Sequence, residues 1–96
     1  MARKSAFAER LDRCFLCDRY ATDMHHIFGA SDKKASERHA FLVPLCADCH
    51  TIGPKAVHSS GGHNRNMELK LMAQNYYEMN IGSRDDFRKE FRKSYL

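Results

Sequence analysis

Two CxxC pairs, Cys14 to Cys17 in "CFLC" and Cys46 to Cys49 in "CADC", flank a pair of adjacent histidines, His25 and His26. A third histidine, His50, directly follows the last cysteine. A CxxC turn sets two sulfurs on one side of the chain at a bite that suits tetrahedral zinc, so two such turns make a closed four-sulfur site. The 28 residues between Cys17 and Cys46 exceed the roughly 15–20 of a simple zinc ribbon. The extra length is an insertion, and it carries the paired histidines. Two disulfides, a redox pair or buried free thiols are the competing readings. A redox CxxC needs only one pair, and in a reducing compartment such pairs bind metal more often than they form disulfides. A closed site contributes folding energy and leaves no position open for chemistry, so this metal is assigned a structural role.

With the cysteines saturated, the histidines are available for other work. Neighbouring residues of a strand point to opposite faces, so His25 and His26 cannot both ligate one ion from an extended strand. At a bending strand end they can serve one site in two roles. One holds an ion; the other stands beside the water or substrate. The four-cysteine metal would hold the segment after Cys49 against the hairpin and bring His50 towards His25.

The elements that position these groups follow from pattern. "YATDMHHIF" and "FLVPL", residues 41–45, read as two strands of a loose hairpin, with Pro44 demoting the second to an edge or a strand end. Between them "GASDKKASERHA" is polar and reads as a turn marked by Gly29, Ser31 and Asp32. "CADCHTI" opens a short helix that Gly53 and Pro54 terminate, and residues 58–66 read as a flexible loop. Asn64 or Asn66 is expected to cap a helix over about 66–80, with Leu69, Met72, Ala73, Tyr76 and Met79 on its core face. Gly82 stops it. Ser83 and Asp86 resemble a capping box for a last helix with Phe87, Phe91 and Tyr95 in register. Residues 3–12, with Phe7 and Leu11 four apart, predict a short helix or an ordered arm.

Length and composition bound the answer. Ninety-six residues predict a single domain: an N-terminal arm or short helix over 1–13, a zinc-braced core over 14–58, and C-terminal helices over 66–95. A chain this small buries only about 60–65% of its unfolded surface, so a metal staple is expected. The start is charged and has no signal-peptide pattern, and no stretch approaches a membrane span. A soluble, cytoplasmic protein with no membrane partner is the expectation. The formal charge is +4, from 16 Lys and Arg against 12 Asp and Glu. Four thiolates on one dication would lower it by two. Such a surplus fits nucleic-acid contact and equally fits a generic basic surface.

CxxC, then "HHI", then "LCADCH" resembles the HNH endonucleases, the ββα-metal or His-Me-finger class, in which zinc-containing members brace a catalytic hairpin with two CxxC pairs. The segment from "GPKAVH" to the C-terminus also resembles small HNH proteins of phages and prophages and the phage recombination-enhancement nucleases. The resemblance spans roughly residues 14–96. It implies an α+β fold: a ββα-metal core with a β-hairpin, a short helix and two C-terminal helices. It implies His26 as general base. His25, His50 and His58 would ligate one catalytic divalent ion, with His63 in reserve, while Cys14, Cys17, Cys46 and Cys49 hold structural Zn²⁺. One position departs from the motif. Where the family has asparagine, nine residues before its last histidine, this chain has Phe41; His39 and Asn64 are the candidates to substitute.

The implied activity is hydrolysis of DNA phosphodiesters to 5′-phosphate and 3′-hydroxyl ends. His26 would take the proton from water, and the ion, which could be Zn, Ni, Mn, Co or Mg, would neutralise the phosphate. Three imidazoles favour the borderline transition metals over magnesium. Lys33, Lys34, Arg38, Lys55 and Arg65 flank the motifs in expected loops and are candidates for contacts with DNA phosphates. The implied setting is a bacterial host cell, with the chain encoded by a phage or prophage and phage or host recombination or packaging proteins as partners. A non-catalytic zinc module that binds DNA or a protein is the alternative. A structural zinc domain with incidental histidines is the third reading.

Overall fold

Residues 23–26 alternate exposed and inward positions and meet the apolar run 42–45 as an antiparallel pair. These are β1 (Asp23–His26) and β2 (Leu42–Leu45), in the register Asp23–Leu45, Met24–Pro44, His25–Val43 and His26–Leu42. The computed structural model describes residues 4–96; the first residue of the expected N-terminal segment, Arg3, lies outside them. Every residue of β2 is buried. Pro44 fits because its carbonyl accepts from the Phe15 amide at 2.8 Å. Amide and carbonyl of one strand residue point the same way, so the missing N–H lies on the side away from β1.

The connection between the strands is not a plain turn. After a 3₁₀ turn at Ala30–Asp32 it forms α1 (Lys33–Arg38). Its only apolar member is Ala35, so no periodicity announced it. What holds it is Ser36, fully buried, whose hydroxyl donates to the Phe28 carbonyl at 2.7 Å and accepts from the Phe28 amide at 3.1 Å. After β2 comes a single π-helical turn, Asp48–Ile52, closed by the Gly53 amide on the Asp48 carbonyl at 3.0 Å.

Helix α2 (His63–Asn80) begins earlier than the sequence suggested. Gly62 occupies its cap position with no side-chain cap, and Asn64 and Asn66 lie inside the helix. A methyl group at Gly62 would overlap the Ala56 carbonyl, so glycine is needed for this close approach. The core face of α2 is Leu69, Ala73, Gln74 and Tyr77, while Met79 is 82% exposed and Tyr76 is on the rim. Helix α3 (Arg84–Phe91) has the expected capping box: the Ser83 side chain accepts from the Asp86 amide, and the Asp86 side chain accepts from the Ser83 amide. Phe87 and Phe91 are buried. Tyr95 follows the helix and packs against Phe28 at 5.4 Å between ring centres.

The core is a cluster of rings around Phe28, with Phe91 at 4.5 Å, Phe87 at 5.6 Å and Phe41 at 6.1 Å. Residues 4–12 are an ordered arm and not a helix: Phe7 stacks on Phe41 and meets Tyr76 edge-on. The architecture is a small α+β unit, a two-stranded hairpin with helices and a four-cysteine cluster. Among the described residues no helix is long and apolar enough to cross a membrane.

Candidate metal centre

The two CxxC pairs converge. One ligand atom from each of Cys14, Cys17, Cys46 and Cys49 lies within 4.8 Å of the others, and the Cys17 and Cys46 sulfurs are 3.5 Å apart. Sulfurs sharing one tetrahedral zinc at about 2.3 Å stand roughly 3.8 Å apart, so the group can hold a metal such as zinc. The first knuckle closes with the Asp18 amide on the Cys14 carbonyl at 2.9 Å, and the left-handed φ of 65° at Asp18 turns the chain away after it. Burial alone would raise the Cys14 thiol. The amides of Cys46, Leu16 and Cys17, which point at its sulfur, outweigh that and bring it down to about 7. Burial pushes Cys49 the other way, up to about 12. A bound dication removes that opposition, because a coordinating thiol is deprotonated outright.

The same turn that carries Cys49 carries His50, and the chain folds back over it. The Val57 and His58 amides donate to the Cys49 and His50 carbonyls at 2.8 and 3.2 Å. The Ser59 hydroxyl donates to the Ala56 carbonyl at 2.7 Å and pins the loop. His58 thereby lies over His50, with their Nε2 atoms 3.0 Å apart. His25 faces both from β1, its ring centre 5.3 Å from that of His50 and 5.0 Å from that of His58. One ligand atom from each of the three lies within 4.8 Å of the others. Imidazole nitrogens on one tetrahedral ion would stand roughly 3.3–3.4 Å apart.

Three features prepare this second group for a cation. His25 is 4% exposed, and its Nε2 is buried with no hydrogen-bond partner among the described residues. Burial first, then the neighbouring His58 and His50, push its pKa down to about 3, so the ring is neutral and its lone pair is available. Burial and His50 lower His58 in the same direction. The third feature is a residue that the sequence reading passed over. The Asp23 carboxylate accepts from His50 Nδ1 at 3.2 Å, which leaves Nε2 of that ring free to ligate. Asp23 is two residues before His25, and the period of a strand puts both on one face.

His26 stands apart from the three. Its Nε2 meets the Glu37 carboxylate of α1 at 3.1 Å. It still lines both cavities that open beside His25 and His58. Phe41 is fully buried among the core rings, and His39 is paired with Glu90 at 2.8 Å. Asn64 and His63 lie exposed on the first turn of α2.

The five candidate DNA contacts do not form one surface. Lys33, Lys34 and Arg38 are on α1 and not in loops. Lys33 borders the cavity shared by His25, His50 and His58, whereas Arg38 pairs with Glu90 at 2.6 Å. Lys55 and Arg65 border the four-cysteine group instead. The Arg65 guanidinium donates to the Cys49 sulfur at 3.8 Å and to the Lys55 carbonyl at 3.5 Å. Comparison with protein-family models, with curated proteins and with solved structures gives no match.

Proposed function

We propose that this chain is a metal-dependent DNA endonuclease of the HNH type, with His26 as general base and one divalent ion on His25, His50 and His58. The observation that carries this reading is the parting of two adjacent histidines. His25 joins His50 and His58 in a group whose ligand atoms lie within 4.8 Å, while His26 turns to Glu37 at 3.1 Å. A set of three imidazoles, one of them buried, neutral and unpartnered, fits zinc, nickel, cobalt or manganese. The order of parts also fits the family: a strand ending in the two histidines, a partner strand, then a helical turn that carries the last histidine.

When bound, the ion supplies charge neutralisation at the scissile phosphate and the leaving 3′ oxygen. The chain's own residues do the rest. With its Nε2–H held by Glu37, His26 keeps its lone pair on Nδ1, the atom that takes the proton from the attacking water. Glu37 thus serves in place of the asparagine that Phe41 displaces. Asp23 orients His50, and burial keeps His25 neutral. Lys33, beside the same cavity, meets the substrate backbone. The structural zinc on the cysteines holds the turn that carries His50. DNA is the substrate, in a bacterial host cell, with the chain encoded by a phage or prophage.

A second reading, a non-catalytic zinc module that binds DNA or a protein, is favoured by one observation: Phe41 is buried at the family's asparagine position. Plasmid cleavage with a panel of divalent ions separates the two. His26→Ala should keep two metals per chain and lose cleavage by about 10²–10⁴-fold, the usual size of a general-base contribution. Cleavage at the parent rate removes His26 from the mechanism, and loss of an ion makes it a ligand.

A further inference from the structure

Two cavities open beside His25 and His58. The one with Lys33 and His50 measures 350 Å³ and belongs to the chemistry just described. The other, of 290 Å³, lies between the end of β1 and helix α2 and shares His25, His26 and His58 with the first. Asn66 and Lys70 line it from α2. They are four residues apart and so share one face of the helix.

This wall is chemically incomplete. The Asn66 side-chain oxygen is buried with no hydrogen-bond partner among the described residues, and so is Nε2 of His25 across the cavity. Buried polar groups left without partners are costly and uncommon. An amide oxygen cannot meet a phosphate, so the Asn66 side chain serves an anion only by turning over to present its NH₂ group. The Lys70 ammonium lies over the Tyr95 ring at 5.2 Å. Burial first, and Lys93 second, lower its pKa while Asp32 raises it, so Lys70 is a partly desolvated cation that an anion beside it would stabilise. One carboxylate, Asp32, also borders the cavity, but the Arg92 guanidinium stands 3.6 Å from it and offsets its charge. The cavity therefore offers a partly desolvated cation and an unengaged amide, right beside two candidate metal ligands.

We infer that this cavity is a second phosphate subsite, in which Lys70 and Asn66 bind the backbone phosphate next to the one held at the histidine group. The inference rests on the nuclease reading for the identity of the ligand. Lys33 borders one of the two cavities at His25 and His58 and Lys70 borders the other, so a strand running through both meets a lysine in each.

The test is the salt dependence of binding of a short oligothymidylate to zinc-loaded protein in the His26→Ala background, followed by anisotropy. Lys70→Met keeps the aliphatic stem and removes the charge. It should weaken binding and reduce the slope of log K against log salt by about 0.7, one phosphate contact on a single strand. Lys70→Arg should restore the slope. Asn66→Ala should lower affinity several-fold with the slope unchanged. Lys89→Ala, on the exposed face of α3, should change neither. Unchanged binding in both Lys70→Met and Asn66→Ala overturns the subsite. Equal slope losses for Lys70→Met and Lys89→Ala reduce it to diffuse surface charge and overturn it too. A parent chain that cuts no DNA with any ion, yet loses slope at Lys70→Met, refutes the hydrolase and keeps the subsite. A chain that cuts DNA but binds alike with and without Lys70 refutes the subsite alone.

Discussion

The carboxylate of Asp23 decides which nitrogen of His50 is free. Facing Nδ1 at 3.2 Å, it holds the proton there and turns Nε2 towards His58. Such a carboxylate both orients a ligating imidazole and makes it more basic, and its loss costs about 10–100-fold in metal affinity. Asp23→Ala should therefore weaken the second ion by that factor, while the four-cysteine metal and the melting temperature stay as in the parent. Equilibrium dialysis with cobalt, counted per chain, reads this directly. Parent-like affinity in Asp23→Ala would mean that His50 is oriented by its backbone alone. The cysteines stood out in the sequence because ligand chemistry is written in residue type and in spacing along the chain, and His25 and His50 stood out beside them. His58 entered only through the family resemblance; the fold brings one nitrogen of each of the three histidines within 4.8 Å of the others. Asp23 was equally readable, since a strand places i and i+2 on one face, but an acidic residue near a strand start is common and draws no notice without its partner. Glu37 was not readable at all, because it reaches His26 from a helix whose existence no pattern announced.

Helices α1, α2 and α3 meet at one carboxylate. Glu90 of α3 accepts from Arg38 at 2.6 Å, from His39 at 2.8 Å and from the Tyr77 hydroxyl at 2.5 Å. Burial would raise its pKa, but these donors outweigh burial and hold it below the usual carboxylate value. Tyr77 is pushed upward, by burial and then by the same bond. A carboxylate with a depressed folded pKa adds stability that is complete above its unfolded pKa and disappears as pH falls through the folded one. Glu90→Gln removes a charged acceptor from a mostly buried network, a loss of about 1.5–3 kcal/mol for a hydrogen bond to a charged group. The stability gap between parent and Glu90→Gln should be present above the ordinary Glu value of 4.5 and narrow as pH falls below it. Urea unfolding of both chains at a series of pH values measures the gap, and acid effects on the cysteine metal cancel between them. A gap that does not narrow in acid would rule out the ionised clasp. At this scale the sequence was informative where caps and apolar spacing set the element, as at Ser83, Asp86, Phe87 and Phe91. It failed at α1, which one buried serine holds. It failed again at the start of α2, where the absence of a side chain at Gly62 matters more than any capping side chain.

The whole molecule is tied at two ends, by Glu90 among the helices and by the four cysteines beneath the hairpin. The two ties differ in weight. A domain of this length is stable by about 0.05–0.15 kcal/mol per residue, or roughly 5–14 kcal/mol in all, and structural zinc alone supplies on the order of 10 kcal/mol of apparent binding energy. A zinc held by Cys14, Cys17, Cys46 and Cys49 would therefore be comparable to the entire stability, and the ring cluster around Phe28 is not expected to hold the fold without it. Position adds to this. Cys46 lies two residues before the π-helical turn, its carbonyl accepts from the His50 amide at 3.0 Å, and the His58 loop is bonded to that turn. Releasing the cysteine metal should thus dismantle the histidine group as well, whereas emptying the histidine group should leave the cysteine metal in place. Cys46→Ser is expected to bind neither metal tightly and to show little cooperative melting by circular dichroism. His50→Ala, only four residues away, should keep one zinc per chain and a parent-like transition. Metal content by mass spectrometry under native conditions, read beside the melts, distinguishes these results. A Cys46→Ser chain that melts like the parent with its zinc retained would sink the four-cysteine site. A His50→Ala chain that loses both metals would show that the two groups form one coupled centre and do not divide into a brace and a reaction site.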